Sequence, residues 1–355
     1  MLVGIYDISS ANGWRLGHIE AYEKILDHNR IPTMYMSADN PDFWNQVKDL
    51  SLFIMRFHQV SSQMQVATDI LPVVQNTLGI KCYPNVNMVW HFDDKVKQYH
   101  MMKVLGYPIT DSWIFYDKET ALDWADNADY PVVFKLKGGA GSKNVLLVEN
   151  RKQAQKLVRR MFGKGILPEK MPSSNSLRIK HFNLKRELHH MAGNFYRSLK
   201  NLDPNPYWFI HKNYVLFQKF LPNNDCDTRI TVIGNRAFAY RRMVRKKDFR
   251  ASGSGILDYN MSEIDLRTVK IAFDISKKLG YTSMAYDFIV NESGDPEFCE
   301  LSYGYVSYLV RDCPGYWDSD LNWHEGHYWP EYLHLIDALD IPDLKCPDLE
   351  YSRPR

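Results

Sequence analysis

The run Ser283-Met284-Ala285-Tyr286-Asp287-Phe288-Ile289-Val290, the turn Asn291-Glu292-Ser293-Gly294-Asp295 and the run Pro296-Glu297-Phe298-Cys299-Glu300-Leu301-Ser302 decide the reading of this chain. Two short apolar runs flank a cluster of turn-forming residues, the pattern of a β-hairpin. With Ser293-Gly294 as a two-residue loop, Asp287 falls directly opposite Glu300. Side chains alternate along a strand, so Ser302 shares the face of Glu300. Carboxylates opposed across a ladder repel. A divalent cation with oxygen ligands relieves that repulsion, which makes Asp287, Glu300 and Ser302 candidate metal ligands. An ordinary solvated acidic hairpin is the alternative.

Composition narrows the class. The 355 residues are 45% hydrophobic and 24% charged, as in an ordinary globular protein long enough for two or three packed units. No apolar run is long enough to span a bilayer, and Met1 to Ser10 reads as a strand rather than a signal peptide. The five cysteines are dispersed, which argues for a reducing, cytoplasmic setting and against zinc or a disulfide frame. The net charge of +2 is uneven. Residues 151 to 212 hold 14 Lys and Arg against three acids, giving +11 there and −9 elsewhere. Such a block is either a solvated face or a landing surface for an anionic acceptor, polyanion or membrane.

Outward from the hairpin the chain alternates strands and helices. Leu2–Tyr6, Thr33–Met36 and Leu50–Phe57 read as strands, with a helix over Gly17–Asn29, which predicts a parallel sheet. The loop Ser9–Arg15 and Arg56 fall at the carboxyl ends of those strands, where ligands usually bind. Asp93-Asp94 caps a helix that runs to Leu105 and ends at Gly106-Tyr107-Pro108. The strand Pro131–Lys137 and the strand Asn144–Val148 bracket Gly138-Gly139-Ala140-Gly141-Ser142. A P-loop would need Gly-Lys-Ser/Thr entering a helix, and here a strand follows. A glycine loop between two strands can still lay backbone N–H groups over phosphates, with Lys135 adding an ammonium. His324-Glu325-Gly326-His327 and His189-His190 lack the spacing of a zinc site.

These motifs, in this order, resemble the ATP-grasp family, over roughly residues 80 to 310. Asp94-Lys95, its helix and Leu105-Gly106-Tyr107-Pro108 look like the first nucleotide lysine and the segment after it. Pro131–Lys135 looks like the strand of the second lysine, and Gly138–Ser142 like the loop that closes over the triphosphate. Val215–Leu221 looks like the hinge strand that reads adenine, and Asp287 with Glu300 like the magnesium carboxylates. Asp227-Thr228-Arg229, Arg242 and Asp248-Phe249-Arg250 resemble the glutamate-ligase-like, carboxylate–amine ligase branch. Two features depart from the family pattern: Glu300-Leu301-Ser302 stands where the family has Glu-x-Asn, and Tyr303-Gly304 where Pro-Gly is usual.

The resemblance implies an α/β (α+β ATP-grasp) fold: an N-terminal Rossmann-like pre-ATP-grasp unit followed by two α+β subdomains that clasp ATP. The expected boundaries are 1–90 for the first domain, 91–213 for the central subdomain with glycine loop and basic insertion, 214–345 for the C-terminal subdomain with the metal site, and 346–355 for a tail. It implies nucleotide contacts from Lys95, Lys135, Gly138, Gly139, Gly141, Ser142, Gln218, Lys219, Phe220 and Leu221. Mg²⁺ or Mn²⁺ would sit at Asp287, Glu300 and Ser302, with Arg242 and Arg250 as catalytic arginines facing the transferred phosphoryl group. The implied activity is ATP-dependent joining of a small-molecule carboxylate to an amine, or to a thiol, through an acyl phosphate. The acceptor would be a small molecule or glycan. A kinase of the same fold and a non-catalytic nucleotide-binding protein remain the alternatives. Residues 151–212 would meet an anionic acceptor, nucleic acid is not expected, and the oligomeric state is left open.

Overall fold

The computed structural model describes residues 1–6, 17–139, 144–168, 209–245 and 254–349. In chain order these form β1 (Val3–Tyr6), α1 (Gly17–His28), β2 (Thr33–Met36), α2 (Phe43–Lys48), β3 (Leu52–Ile54), α3 (Ser61–Pro72), β4 (Lys81–Tyr83), α4 (Val86–Val89) and α5 (Lys95–Val104). There follow β5 (Ser112–Phe115), α6 (Lys118–Asn127), β6 (Val132–Lys135), β7 (Val145–Val148), α7 (Arg151–Met161), β8 (Val215–Lys219), β9 (Cys226–Ile233) and β10 (Arg236–Met243). The last are β11 (Leu257–Asp258), α8 (Leu266–Leu279), β12 (Ser283–Val290), β13 (Pro296–Ser302), α9 (Ser307–Arg311), β14 (Gly315–Asp318), β15 (Trp323–Glu325) and α10 (Pro330–Leu339). The chain divides into two compact units, one of residues 1–58, 63–92 and 224–355, the other of residues 59–62 and 93–223.

The first unit holds two sheets. One is parallel, in the order β2-β1-β3-β4. Every residue of β1 and β3 is buried, as expected of parallel strands covered on both faces. At Gly4 a Cβ would lie 2.4 Å from Leu50 Cδ1, so any larger residue there would force the Leu50 side chain to shift. The other sheet is antiparallel, in the order β13-β12-β9-β10-β14-β15, with β11 beside β10. Helix α8 covers one face through Val269, Ala272 and Ile275, and its Ser276 hydroxyl bonds Tyr286 Oη at 2.6 Å. The other face carries Ile233, Phe238, Tyr240 and Ala285, packed with Val310 of α9 and Leu333 of α10.

A buried polar hub ties α10 into this unit. His334 bonds Tyr22 Oη through Nδ1 at 2.8 Å, and Tyr83 Oη and Tyr305 Oη through Nε2 at 2.9 and 2.8 Å. Burial pushes its imidazole well below the ordinary value. Beside it Glu331, fully buried, accepts from His18 at 2.8 Å and from Arg56 at 3.4 Å. Burial would raise the Glu331 carboxyl, but the hydrogen bond and charge of His18 and the charge of Arg56 bring it down to about 2.

The second unit is built on one antiparallel sheet, β5-β8-β6-β7. Its core face carries Phe134 and Phe217, and Phe217 stacks on Trp124 of α6 at 4.7 Å. Strand β8, which the sequence reading groups with the C-terminal run, lies between β5 and β6, in the same sheet as Lys135. Asp94 caps α5 by accepting from Lys97 N at 3.2 Å.

The Asp287–Glu300 register is as expected, but it is reached differently. Asn291 to Asp295 form a five-residue turn, closed by an Asn291 N–H bond to Asp295 O at 2.9 Å, so Val290 faces Pro296 and Phe288 faces Phe298. An irregularity after Asp287 then skips Cys299 and restores Glu300 opposite Asp287.

Candidate functional site

In the second unit three side chains meet on the face of the sheet away from Phe134 and Phe217. Gln218 of β8 is paired with Ser112 of β5 and with Val133 of β6, and Lys135 is two residues beyond Val133, so all share one face. Lys135 Nζ donates to Gln218 Oε1, and Gln218 Nε2 donates to Ser112 Oγ at 3.1 Å. The first two residues of the glycine loop are fixed beside Lys95. Gly139 N–H is held by both oxygens of Asp93 at 2.8 and 2.9 Å, and Asn144 Nδ2 donates to Gly138 O at 3.0 Å. Lys95, buried at the first turn of α5, donates from Nζ to Gly139 O at 3.1 Å. Gly139, at φ +112, needs glycine, and a Cβ there would meet Asn144 Nδ2 at 1.9 Å; a Cβ on Gly138 would meet Asp93 Oδ2 at 2.8 Å and push that carboxylate from its place. Of the hinge residues, Gln218 and Leu221 are buried, Phe220 is half-buried and Lys219 is exposed.

In the first unit, one rung of the antiparallel sheet places Glu300, Asp287, Arg229 and Tyr240 side by side on β13, β12, β9 and β10. The next rung on that face pairs Asp227 with Arg242. Asp287 is only 4% exposed. Arg229 donates to its Oδ1 from Nε at 2.6 Å and to its Oδ2 from Nη2 at 2.7 Å. Arg242 Nη2 adds a third bond to Oδ2 at 2.7 Å. Arg242 also forks onto Asp227 at 2.6 and 2.7 Å, so acids and arginines alternate through the array. Burial alone would raise the Asp287 carboxyl, and the charges of Arg229 and Arg242 more than offset it, holding it well below the usual range. Asp227, with one arginine fork against the same burial, stays above its ordinary value. Burial of the Tyr240 ring pushes its phenol up. Its hydroxyl has no hydrogen-bond partner among the described residues.

No protein-family profile matches the sequence, and no curated protein matches it significantly. Solved structures do match the fold. Biotin carboxylase from Campylobacter jejuni, in a β,γ-ATP complex, aligns with 95% of this chain and 70% of its own, at TM-score 0.57 and 14% identity. The ATP-grasp ligase PsnB with a minimal precursor aligns over 88% of this chain and 93% of its own, at TM-score 0.51 and 13% identity. D-alanine–D-alanine ligase from Bacillus anthracis aligns over 88% of both chains, at TM-score 0.51 and 14% identity. The chain has the ATP-grasp fold.

Within that fold the expected residues gather in two sets. Lys95, Lys135, Gly138, Gly139 and Gln218 are together in the second unit. Asp287, Glu300 and Arg242 are together in the first, with Ser302 on the face of Glu300, paired with Ala285. Gly141, Ser142, Arg250 and His189-His190 lie outside the described residues. Arg242 is not on a solvated face; its neighbour Arg241 is the peripheral one, bound to Asp258 and Glu263. Asp227 and Arg229 belong to the site by geometry, although only their segment stood out in sequence. The i, i+2 spacing of two charges in an otherwise apolar strand was the signal for both. His324 Nε2 bonds Asp318 at 2.9 Å and His327 Nδ1 bonds Arg311 O at 2.9 Å, so each imidazole has a protein partner.

Asp287 and Glu300 are the acids that a divalent cation would use here. Among the described residues no three His, Cys, Asp or Glu side chains converge on a point. Asp287 Oδ2 accepts two N–H groups and Oδ1 only one, which leaves a lone pair on Oδ1, and Glu300 is the paired residue on β13. Mg²⁺ is commonly held by one or two carboxylates with phosphate oxygens. Ser302 Oγ accepts from Gly304 N–H at 3.1 Å and retains a second lone pair.

Proposed function

We propose that the protein is an ATP- and magnesium-dependent ligase that joins a carboxylate to an amine. The observation that carries this reading is the arginine pair Arg229 and Arg242, fixed by Asp227 and Asp287 on the sheet face that presents Glu300. Each guanidinium commits its Nε–Nη2 fork to a carboxylate, and its Nη1 would be the group that donates to an anion such as a transferring phosphoryl group. A bound Mg²⁺ would neutralise phosphate charge as a Lewis acid. Glu300 and Asp287 would hold it, with Ser302 beside them. Lys95 and Lys135 would bind nucleotide phosphates beside the Asp93-anchored Gly138-Gly139 turn.

In this scheme a substrate carboxylate oxygen bonds to the γ-phosphorus and ADP leaves. The amine then bonds to the acyl carbon, phosphate leaves and the amine proton passes to solvent. No side-chain nucleophile is consumed. Positioning and charge neutralisation by the arginines and lysines supply the rate. The solved ligases of this fold support the reading: biotin carboxylase, D-alanine–D-alanine ligase and PsnB.

The test is ADP formation that requires Mg²⁺, a carboxylate and an amine together, with the product weighed by mass spectrometry. An amide and free phosphate are expected; a phosphorylated acceptor would mean a kinase. Lys135→Ala and Lys95→Ala should each weaken ATP about 10- to 100-fold, the worth of one hydrogen bond to a charged group. Unchanged affinity in both would remove the nucleotide assignment.

A further inference from the structure

The basic stretch contains a surface that takes no part in the nucleotide and carboxylate sites described above. Helix α7 buries Ala154, Leu157, Val158 and Met161, and turns Arg151, Lys152, Lys156, Arg159 and Arg160 outward, with no acid anywhere in the helix. Its two ends differ. At the start Arg151 approaches Asp126 of α6 at 3.5 Å, and Gln155 bonds the same carboxylate. At the far end Arg159, Lys164 and Lys212 are exposed and form no ion pair with a described carboxylate.

The turn after α7 brings an apolar pair to those charges. Ile166 and His211 exchange backbone hydrogen bonds at 2.9 Å in each direction. Gly165, at φ +71, lets the returning chain approach so closely that a Cβ there would sit 2.6 Å from Ile210 Cγ2. Phe209 and Ile210 are therefore held at the end of α7, and they are 64% and 53% exposed.

We propose that this end of α7 docks on the surface of an anionic bilayer, with Arg159, Arg160, Lys164 and Lys212 facing lipid phosphates and Phe209 and Ile210 entering the headgroup layer. A soluble polyanion would satisfy the cations and leave the apolar pair in water, whereas a bilayer interface takes both. The attachment is peripheral, since no described helix is long and apolar enough to cross a membrane. It does not depend on which reaction the protein performs.

The experiment is co-sedimentation of the full chain with vesicles of phosphatidylcholine alone and with about 30% phosphatidylglycerol, at low and high salt. Binding to the anionic vesicles only, lost at high salt, is expected. Arg159→Gln with Lys164→Gln should lower the partition constant about thirtyfold, from roughly a factor of five per charge. Phe209→Ser should lower it without changing the salt dependence. Equal binding to both vesicles, or wild-type binding by the double variant, overturns the proposal. Binding of polyuridylate or polyglutamate without binding of vesicles also overturns it, and assigns the surface to a soluble polyanion.

Discussion

Replacing Asp287 by Asn separates two accounts of the carboxylate pair. If opposed acids dominate, removing one charge relieves repulsion and the metal-free protein becomes more stable. The structure predicts the opposite. Asp287 is buried and receives three bonds at 2.6 to 2.7 Å from Arg229 and Arg242. Asn keeps one acceptor oxygen and turns an NH₂ group toward guanidinium donors. Breaking a buried ion pair by removing one partner costs about 3–5 kcal/mol, because the other charge stays buried and unpaired. For a folded unit of roughly 150–250 residues each kcal/mol moves the midpoint by about 2–4 °C, so a fall on the order of 10 °C is expected. Glu300→Gln should change stability far less, since Glu300 is only half-buried. The assay is thermal unfolding of nucleotide- and metal-free protein, with ADP formation measured alongside. A midpoint for Asp287→Asn equal to or above wild type would refute the arginine-anchored array. Both variants should lose turnover by orders of magnitude if they hold the metal.

Two further outcomes follow from the geometry. Gly139→Ala should destabilise the second unit by about 1–3 kcal/mol and weaken nucleotide binding, whereas Gly294→Ala, also at positive φ but with open space around it, should leave nucleotide affinity unchanged; equal affinity losses would count against the Asp93–Gly139 cradle. Burial pushes the His334 imidazole well below its ordinary value in the fold, so the unfolded chain binds more protons below about pH 6.5 and stability falls as pH drops, by up to about 1.4 kcal/mol per pH unit; a flat unfolding midpoint between pH 6.5 and 5 would contradict this.

Local pattern made much of this legible. The alternation in Ser283–Ser302, the helix cap at Asp94 and the strands flanking Gly138-Gly139 all rest on residues within a few positions of each other. What failed to show depends on non-local pairing. Nothing within Val215–Lys219 says that it inserts between β5 and β6, yet that placement brings Gln218 to Lys135. The hairpin register came out as expected for a different reason: a longer turn and an irregularity at Cys299 compensate one another. Asp93 and Asp94 looked like one capping signal, but only Asp94 caps, while Asp93, at φ +52, holds the Gly139 amide.

The largest departure concerns why the acids of β12 and β13 tolerate each other. Sequence shows only the hairpin, and within a hairpin the repulsion between Asp287 and Glu300 is relieved by a cation or by solvent. The sheet supplies a neighbour on the other side. Arg229 stands on β9 in the same rung, and Arg242 reaches across from β10, so the negative charge of Asp287 is balanced before any metal arrives. Asp227, Arg229, Arg242 and Asp287 together are neutral, so this part of the face needs no metal for its charge balance. On this balance, folding of the first unit should not depend on metal, unlike sites whose ligands are organised only by the ion. Chelation should abolish activity and leave the unfolding midpoint within a degree or two of its starting value. A large fall in the midpoint on chelation would mean that the arginines do not carry the balance assigned to them.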